Sequence, residues 1–562
     1  MKKILFPLLA AVLLTLAIVA CSASPSTTPP ASTTTTPPTS TTTVPPTSTT
    51  APPTSTTTTP PTSTTKPTTT PSASPTATGG QQYGGVLRII FFSGPLTLGD
   101  PTLLSDSSSI QGAIPAIQTL ISTDNSGVFH GVLATDWTVA PDNLSITFHL
   151  RKGVKFHDGT DFNAAAAKWN LDRFYAAYQK TSPTSLWNGV DVIDDYTIRL
   201  NLKGFQNTIL GGLDGSAGMM ISPTAAQKNG LDWIKLNPVG TGPYQFKSFS
   251  RDVSLEYSRF DNYWGGKPYL DGIKFIYVAD PTTAELAFQS GVADVVSTST
   301  DSVTADLMSK GYVLEKRPGP MMNLIPDSKN ASSPFADLNV RQAVSYAIDR
   351  QGLAKSLGYG LWEVTNQPVA AYQFAYVNDS PYTYNVAKAQ ALMKASAFPN
   401  GFKTSIITAS SFNRDPLVAI QAQLAAIGIT VNLQVVEFSS WNDYVNKGWN
   451  NALLWATQGA TFTNYVSFLQ LYYAATATRY PVLAKPAALQ PLIDKAAATP
   501  DYATEVSLCK QAVELILSDC TAIPVYIQPA SYILNNNVHD THFDSLAGSG
   551  FRWGVDTAWL SK

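Results

Sequence analysis

The chain holds 562 residues, with 37 Lys and Arg against 39 Asp and Glu and a net charge of −2. Lys2, Lys3 and Lys66 carry all the charge of the first eighty residues, so the remainder has 34 basic and 39 acidic side chains, a net −5 that argues against a nucleic-acid partner. The body that remains after a long low-complexity start, about 480 residues, is too long for one core and calls for two or three domains.

Met1-Lys2-Lys3 followed by the apolar run Ile4 to Ala20 reads as a secretory signal spanning 1–20. The run sits at the lower limit for a membrane span, so an uncleaved anchor is the alternative. Ile18-Val19-Ala20-Cys21 resembles a bacterial lipobox, which implies cleavage before Cys21 and lipidation of that residue. From 21 to 80 the chain is almost wholly Thr, Pro and Ser, a composition that cannot bury a core. It is a tether that reaches about 45 Å as a flexible coil and about 180 Å when stretched, with hydroxyls suited to O-glycosylation. No later segment is apolar enough to span a bilayer, so the body is expected outside the membrane.

Gly84 to Ile90 reads as a first strand, followed by a turn-rich loop to Pro101. In Leu133 to Arg173, Leu144, Ile146, Phe148 and Leu150 alternate with polar residues, the pattern of a half-buried strand. Asp142-Asn143 and Lys152-Gly153 supply turns on either side, and Asn163 caps a helix running to about Lys180. His157-Asp158 reads as a surface turn, with a metal or acid-base pair as the alternative. Val190 to Leu202 is a strand pair turning at Asp194-Asp195. Asn237-Pro238-Val239-Gly240-Thr241-Gly242-Pro243-Tyr244 is not a phosphate loop, because an alternating strand follows where a helix N-terminus is needed.

Thr282 to Gln289 is helical, and Val313 to Met322, interrupted by Pro-Gly-Pro, suits a crossover between lobes. Asp337 to Leu357 keeps one helical face apolar, with Asp337 or Asn339 as cap and a local Asp337–Arg341 ion pair. Helix and strand then alternate through Asn385 to Lys394, Lys403 to Thr408, Pro416 to Ile427 and Thr430 to Val436, as in an α/β lobe. Ala452 to Trp455 is a short buried strand opening onto an aromatic, polar loop. Cys509 lies within a helix read over Val506 to Leu517 and Cys520 beyond it, too far apart for a bridge, so both are read as buried thiols. Ile523 to Ile527 returns the chain to the first lobe. No G-x-S-x-G or H-E-x-x-H motif is present, the five histidines form no recognisable triad or zinc set, and His539 and His542 lack a third ligand, so no enzyme, metal or cofactor is expected.

The run Leu133 to Arg173, together with NPVGTGPY (237–244), YWGGKPYLD (263–271), DLNVRQAVSYAIDR (337–350) and FPNGF (398–402), resembles the family 5 extracellular solute-binding proteins, the peptide, nickel and oligosaccharide receptors of ABC importers. The resemblance covers Gly84 to about Phe543. It implies an α/β fold in a two-lobed clamp of the periplasmic-binding-protein kind with mixed sheets. Lobe 1 would span 81–318 with an inserted domain at about 105–236, lobe 2 319–525, and residues 526–562 would return to lobe 1. It further implies a monomer held to the membrane by the lipid on Cys21. This monomer would capture a small-molecule or oligopeptide ligand between the lobes and pass it to an ABC permease and ATPase complex; a surface-tethered sensor not coupled to import is the alternative.

Peptide-binding relatives hold the ligand's amino group with an acidic residue in the loop after the strand matching Ala452 to Trp455. Here Thr463 stands at that place, beside Asn464 and Tyr465, and a hydroxyl would leave a buried ammonium uncompensated. Arg414 lies near the position from which such relatives grip a carboxylate, with a solvated loop arginine as the other reading. Trp187, Trp362, Trp455 and Tyr465 are candidate cleft aromatics, with core packing as the alternative for each.

Overall fold

The structure, a computed structural model, describes residues 80–562 apart from 182–183, 299, 460–463 and 546–551. The signal segment, Cys21, the tether to residue 79 and Thr463 lie outside the described residues. Among the described residues no helix is long and apolar enough to cross a membrane.

β1 (Val86–Phe91) and α1 (Ser107–Ala113) open the fold. A four-stranded antiparallel sheet follows, built from β2 (Ala134–Val139), β3 (Ser145–Leu150), β4 (Trp187–Asp194) and β5 (Thr197–Leu202) in the order β2-β3-β5-β4. Alternation does what it should in β3: Ile146, Phe148 and Leu150 are buried while His149 is exposed. The preceding turn places Asn143 in the left-handed region, and Asp142 Oδ1 accepts from Leu144 N at 2.9 Å. α2 (Ala164–Tyr178) packs on this sheet, and Asn163 caps it by accepting from Ala166 N at 3.0 Å. α3 (Thr208–Asp214) closes the segment.

The chain continues through β6 (Tyr244–Ser250), β7 (Ser254–Arg259), β8 (Gly272–Tyr277), α4 (Pro281–Gln289), β9 (Val295–Thr298), α5 (Asp301–Ser309) and β10 (Val313–Pro326). Beyond these lie α6 (Leu338–Ala347), α7 (Arg350–Leu357), α8 (Val386–Ala395), β11 (Phe402–Ala409), α9 (Asp415–Ala425), β12 (Ile429–Val436), α10 (Phe438–Lys447) and β13 (Ala452–Gly459). Then come α11 (Tyr465–Tyr472), α12 (Leu489–Ala498), α13 (Tyr502–Ser518) and β14 (Ile523–Leu534), followed by the short antiparallel strands Val538–His539 and Trp559–Leu560.

One eleven-stranded mixed sheet joins both lobes, in the order β6-β7-β8-β1-β9-β14-β10-β13-β11-β12, with the short strand Glu363–Val364 on the side of β14. The long antiparallel partners β10 and β14 make the crossover. At one end Thr298 of β9 pairs with Ser531 of β14, and at the other Pro326 of β10 pairs with Leu453 of β13. Between them the β10–β14 register shifts from Pro318 to Met321, next to Gly319. A Cβ at Gly319 would stand 2.4 Å from Gln528 O, so the bulge needs glycine for close backbone approach.

Three cores result. One lies under the first half of the large sheet and includes Leu87, Ile89, Phe275, Leu534 and Val555; a second fills the four-stranded sheet; the largest belongs to the second lobe.

Two local expectations are corrected. The helix read from Asp337 to Leu357 is two helices, broken where Ile348 turns extended and Asp349 caps α7 by accepting from Gly352 N at 2.9 Å. Arg341 does not pair with Asp337. Its buried guanidinium donates to the carbonyls of Phe335 and Ala336 at 2.9 Å and of Asp519 at 2.8 Å, while Asp337 caps α6. Cys509 within α13 and Cys520 beyond it are both buried and free.

Candidate functional site

The crossover strands carry side chains of both lobes to one seam. On the first-lobe side a narrow recess of about 10 Å³, room for about one water, is walled by Phe91 at the end of β1, Phe275, Tyr532, Phe543 and Trp553. Tyr532 stacks on Phe543 at 4.4 Å between ring centroids, and Phe543 on Trp553 at 4.9 Å. Glu315 of β10 fixes this stack by accepting from Phe543 N and Thr541 Oγ1, both at 2.7 Å.

Arg317 of β10 and Arg552 line the same recess. Arg552 donates to Thr119 Oγ1 and stands with Nε 3.8 Å from Asp214 Oδ1 at the end of α3. Burial pushes the Asp214 carboxyl above the usual range and lowers the Arg552 guanidinium below its own. At 3.8 Å their attraction offsets only part of the desolvation. Thr123 Oγ1 supplies a further donor to Asp214 Oδ2 at 2.7 Å.

Register brings the second lobe to the recess. β13 runs antiparallel to β10, and its last residue, Gly459, pairs with Pro320, three positions from Arg317. Beyond the strand, Asn464 caps α11 by accepting from Ser467 N at 2.9 Å. Asn464 Nδ2 also donates to Asn207 O at 3.3 Å. Asn207, just before α3, donates through its backbone N–H to Ala497 O at 2.9 Å and through Nδ2 to Ala496 O at 3.0 Å. Gln470 to Gln206 and Tyr502 Oη to Ser126 O extend the contact, so the lobes meet directly.

A second bridge spans the crossover. Asp301, the first residue of α5, accepts from Trp362 Nε1 at 2.7 Å and from Gln528 Nε2 at 3.3 Å. Burial raises its carboxyl pKa and these two donors lower it. The Trp362 ring stacks on Tyr526 at 3.8 Å, and the Trp455 ring lies tilted to Tyr526 at 6.0 Å.

Of the residues singled out from sequence, Trp362 and Asn464 therefore stand at the seam. Trp455 is fully buried in the second lobe's core, its ring 6.0 Å from that of Tyr526. Tyr465 is buried beside Asn464, its hydroxyl donating to Pro368 O at 3.1 Å. Trp187 is enclosed in the core of the four-stranded sheet. Arg414 is exposed and its guanidinium contacts no partner among the described residues; it occupies the loop leaving the carboxyl end of β11, the sheet edge at which the parallel strand β13 also ends. Thr463 and Cys21 lie outside the described residues. Sequence reasoning missed Arg317, Arg552, Asp301 and the stack at Tyr532, Phe543 and Trp553. Phe-Arg-Trp at 551–553 was the available signal, but it sits in a stretch without periodicity.

Among the described residues no group of three or more His, Cys, Asp or Glu side chains is placed to hold a metal ion. The arrangement offers aromatic faces, guanidinium groups and backbone edges between two lobes, which suits holding a small polar solute.

The sequence model described as bacterial extracellular solute-binding proteins, family 5 Middle, matches residues 128–479. The glutathione-binding protein GsiB of Salmonella choleraesuis (strain SC-B67) is 34% identical over 346 residues, covering 60% of this chain and 67% of that protein. The ABC transporter-associated periplasmic binding protein DppA of Helicobacter pylori, solved in complex with the peptide STSA, superposes with a TM-score of 0.68 at 26% identity over 86% of this chain and 99% of its own. HbpA2 of Haemophilus parasuis shares the fold, with a TM-score of 0.76 at 21% identity over 85% of this chain and 100% of its own.

Proposed function

Because this chain belongs to the bacterial extracellular solute-binding proteins of family 5, we propose that it captures a peptide-like or other small polar solute between its two lobes and delivers it to the permease and ATPase of an ABC importer. The observation that carries the reading is the seam itself. Two lobes share one crossover sheet, and an aromatic recess with Arg317 and Arg552 opens three residues from the exit of β13. The similarity to a glutathione-binding protein and to a protein solved with a tetrapeptide supports a solute with a peptide backbone and a carboxylate. The guanidinium groups suit the carboxylate and the rings suit flat or apolar parts. Asn464 stands on the second-lobe side, and Thr463 in the place of an acidic residue favours a solute whose amino group is not held there.

The chain acts as a monomer outside the cytoplasm, tethered by a lipid on Cys21 after removal of residues 1–20. In cells, Cys21→Ser is expected to move the protein from the membrane to the soluble fraction, and its retention would remove the anchor from this reading.

Thermal melts of the purified chain with glutathione, tetrapeptides, oligosaccharides and nickel chelates test the capture itself. Solute at about 100 times its dissociation constant should add about 2.7 kcal/mol to stability. A rise with the peptide class that disappears in Arg317→Ala identifies solute and site together. If no class moves the melt of well-folded protein, import gives way to a sensor or structural role.

A further inference from the structure

The second lobe carries another opening. A groove of about 400 Å³, part of it open to solvent, runs between α13 and the loop 376–381, and it shares no lining residue with the recess at the seam. Lys510, Glu514 and Leu517 follow one another on the helix at spacings of four and three, so they form one stripe along its wall. Tyr376, Asp379 and Pro381 line it from the loop. Tyr502, at the start of α13, makes the contact with Ser126 O between the lobes. Lys510 comes two turns later, so the groove begins about 12 Å along the helix from that contact.

Both walls are fixed. Buried Gln367 holds Val377 of the loop twice, donating through Nε2 to its carbonyl at 2.8 Å and accepting from its N–H at 3.2 Å. Tyr382, just beyond the loop, donates through Oη to Leu517 O at 2.7 Å and so joins loop to helix. The groove is formed before anything enters it, which lowers the ordering cost of binding there.

The charges on these walls have no partners. Asp379, Lys510 and Glu514 are exposed, and none makes an ion pair or a side-chain hydrogen bond among the described residues. Lys510 and Glu514 stand four residues apart on a helix, the spacing at which Lys168–Asp172, Lys310–Asp306 and Lys447–Asp443 close to between 2.6 and 2.9 Å. Here the two side chains stay apart, and both are open to a third group. The Tyr376 hydroxyl likewise has no partner among the described residues.

Two carboxylates and one ammonium are complementary to a ligand with two cationic groups and one anionic group. The Tyr376 ring, Pro381 and Leu517 suit a short apolar stem between those groups. We propose that this groove is a second solute site, which takes a small diamino carboxylic acid, the chemistry of free lysine or ornithine. Asp379 and Glu514 each hold one ammonium, and Lys510 holds the carboxylate. Both walls belong to the second lobe, so the site needs no closure of the clamp and does not depend on what the clamp captures.

Saturation-transfer NMR titrations of the full exported chain with L-lysine, norleucine and cadaverine test the site. Norleucine lacks the side-chain ammonium and cadaverine lacks the carboxylate. L-lysine should bind with a dissociation constant of about 1 mM or lower, and the other two about tenfold more weakly. Glu514→Gln should weaken L-lysine about tenfold. Lys510→Met should abolish the preference for L-lysine over cadaverine, because only the carboxylate distinguishes them. If either helix variant fails to fold, Asp379→Asn replaces it and should also weaken L-lysine about tenfold. No L-lysine signal at about 10 mM, equal affinities for the three probes, or an L-lysine affinity that survives these substitutions overturns the site. None of those outcomes touches the capture between the lobes, which the melts with peptides decide.

Discussion

Arg350 shows how a single side chain can be decided by its surroundings. It is 4% exposed and pairs with no carboxylate among the described residues, yet its guanidinium donates to Pro524 O at 2.7 Å, Ser345 O at 2.9 Å and Ser345 Oγ at 3.0 Å. Burial lowers its pKa to about 10, so it stays charged and ties α6 and α7 to β14. Removing it leaves several buried carbonyls without donors, and Arg350→Ala should cost about 3 to 5 kcal/mol in a denaturant titration. Lysine cannot reproduce the planar fork, so Arg350→Lys should recover little of that loss. Trp187 and Trp362 illustrate the limit of reading residues from sequence. Both are large rings next to polar segments, and only the tertiary placement sends one into a sheet core and the other to Asp301 at the seam.

Helices and strands were legible where period and cap agree. Asn163 before four alanines announced α2, and the side chain does accept from Ala166 N. The break between α6 and α7 was hidden because the apolar stripe continues through it. Its cause is Asp349, which turns from a mid-helix position into a cap. The two asparagine caps separate local from long-range roles. Asn163→Ala should lower stability by about 1 kcal/mol through the helix alone. Asn464→Ala removes a cap of the same kind and also the bond to Asn207 O, so it should additionally raise exchange at the lobe seam. Equal exchange at the seam in both variants would assign Asn464 a purely local role.

For the whole molecule, acid resistance depends on groups of opposite sign. His157, taken from sequence as a surface turn, is held edge-on against Phe260 with Nε2 2.9 Å from Gly242 O, and burial lowers its pKa to about 4. The unfolded chain takes up this proton near 6.5, so the stability His157 contributes is complete above that pH and is lost as pH falls toward 4, by about 2 kcal/mol. Glu505 works the other way, favouring the native state as pH falls from about 7. Denaturation at about pH 7 and about pH 4.5 should therefore show a smaller acid loss in His157→Gln than in wild type; an unchanged loss would mean that the imidazole titrates normally. The lobed α/β class followed from the helix-strand alternation and the motifs. The pairing of β9 with β14 did not, because no local pattern encodes partners so distant in sequence.

That pairing has a consequence in time. Thr298 finds Ser531, and the first core is completed by Leu534, Val538 and Val555, all made long after β1 and β9. A chain threaded N-terminus first must hold β1, β8 and β9 with an open edge while the second lobe, whose core draws on Met322 to Tyr526, is still being assembled. The lobe begun first is thus finished last. During that interval its unpaired strands are the part of the newborn chain most in need of a chaperone.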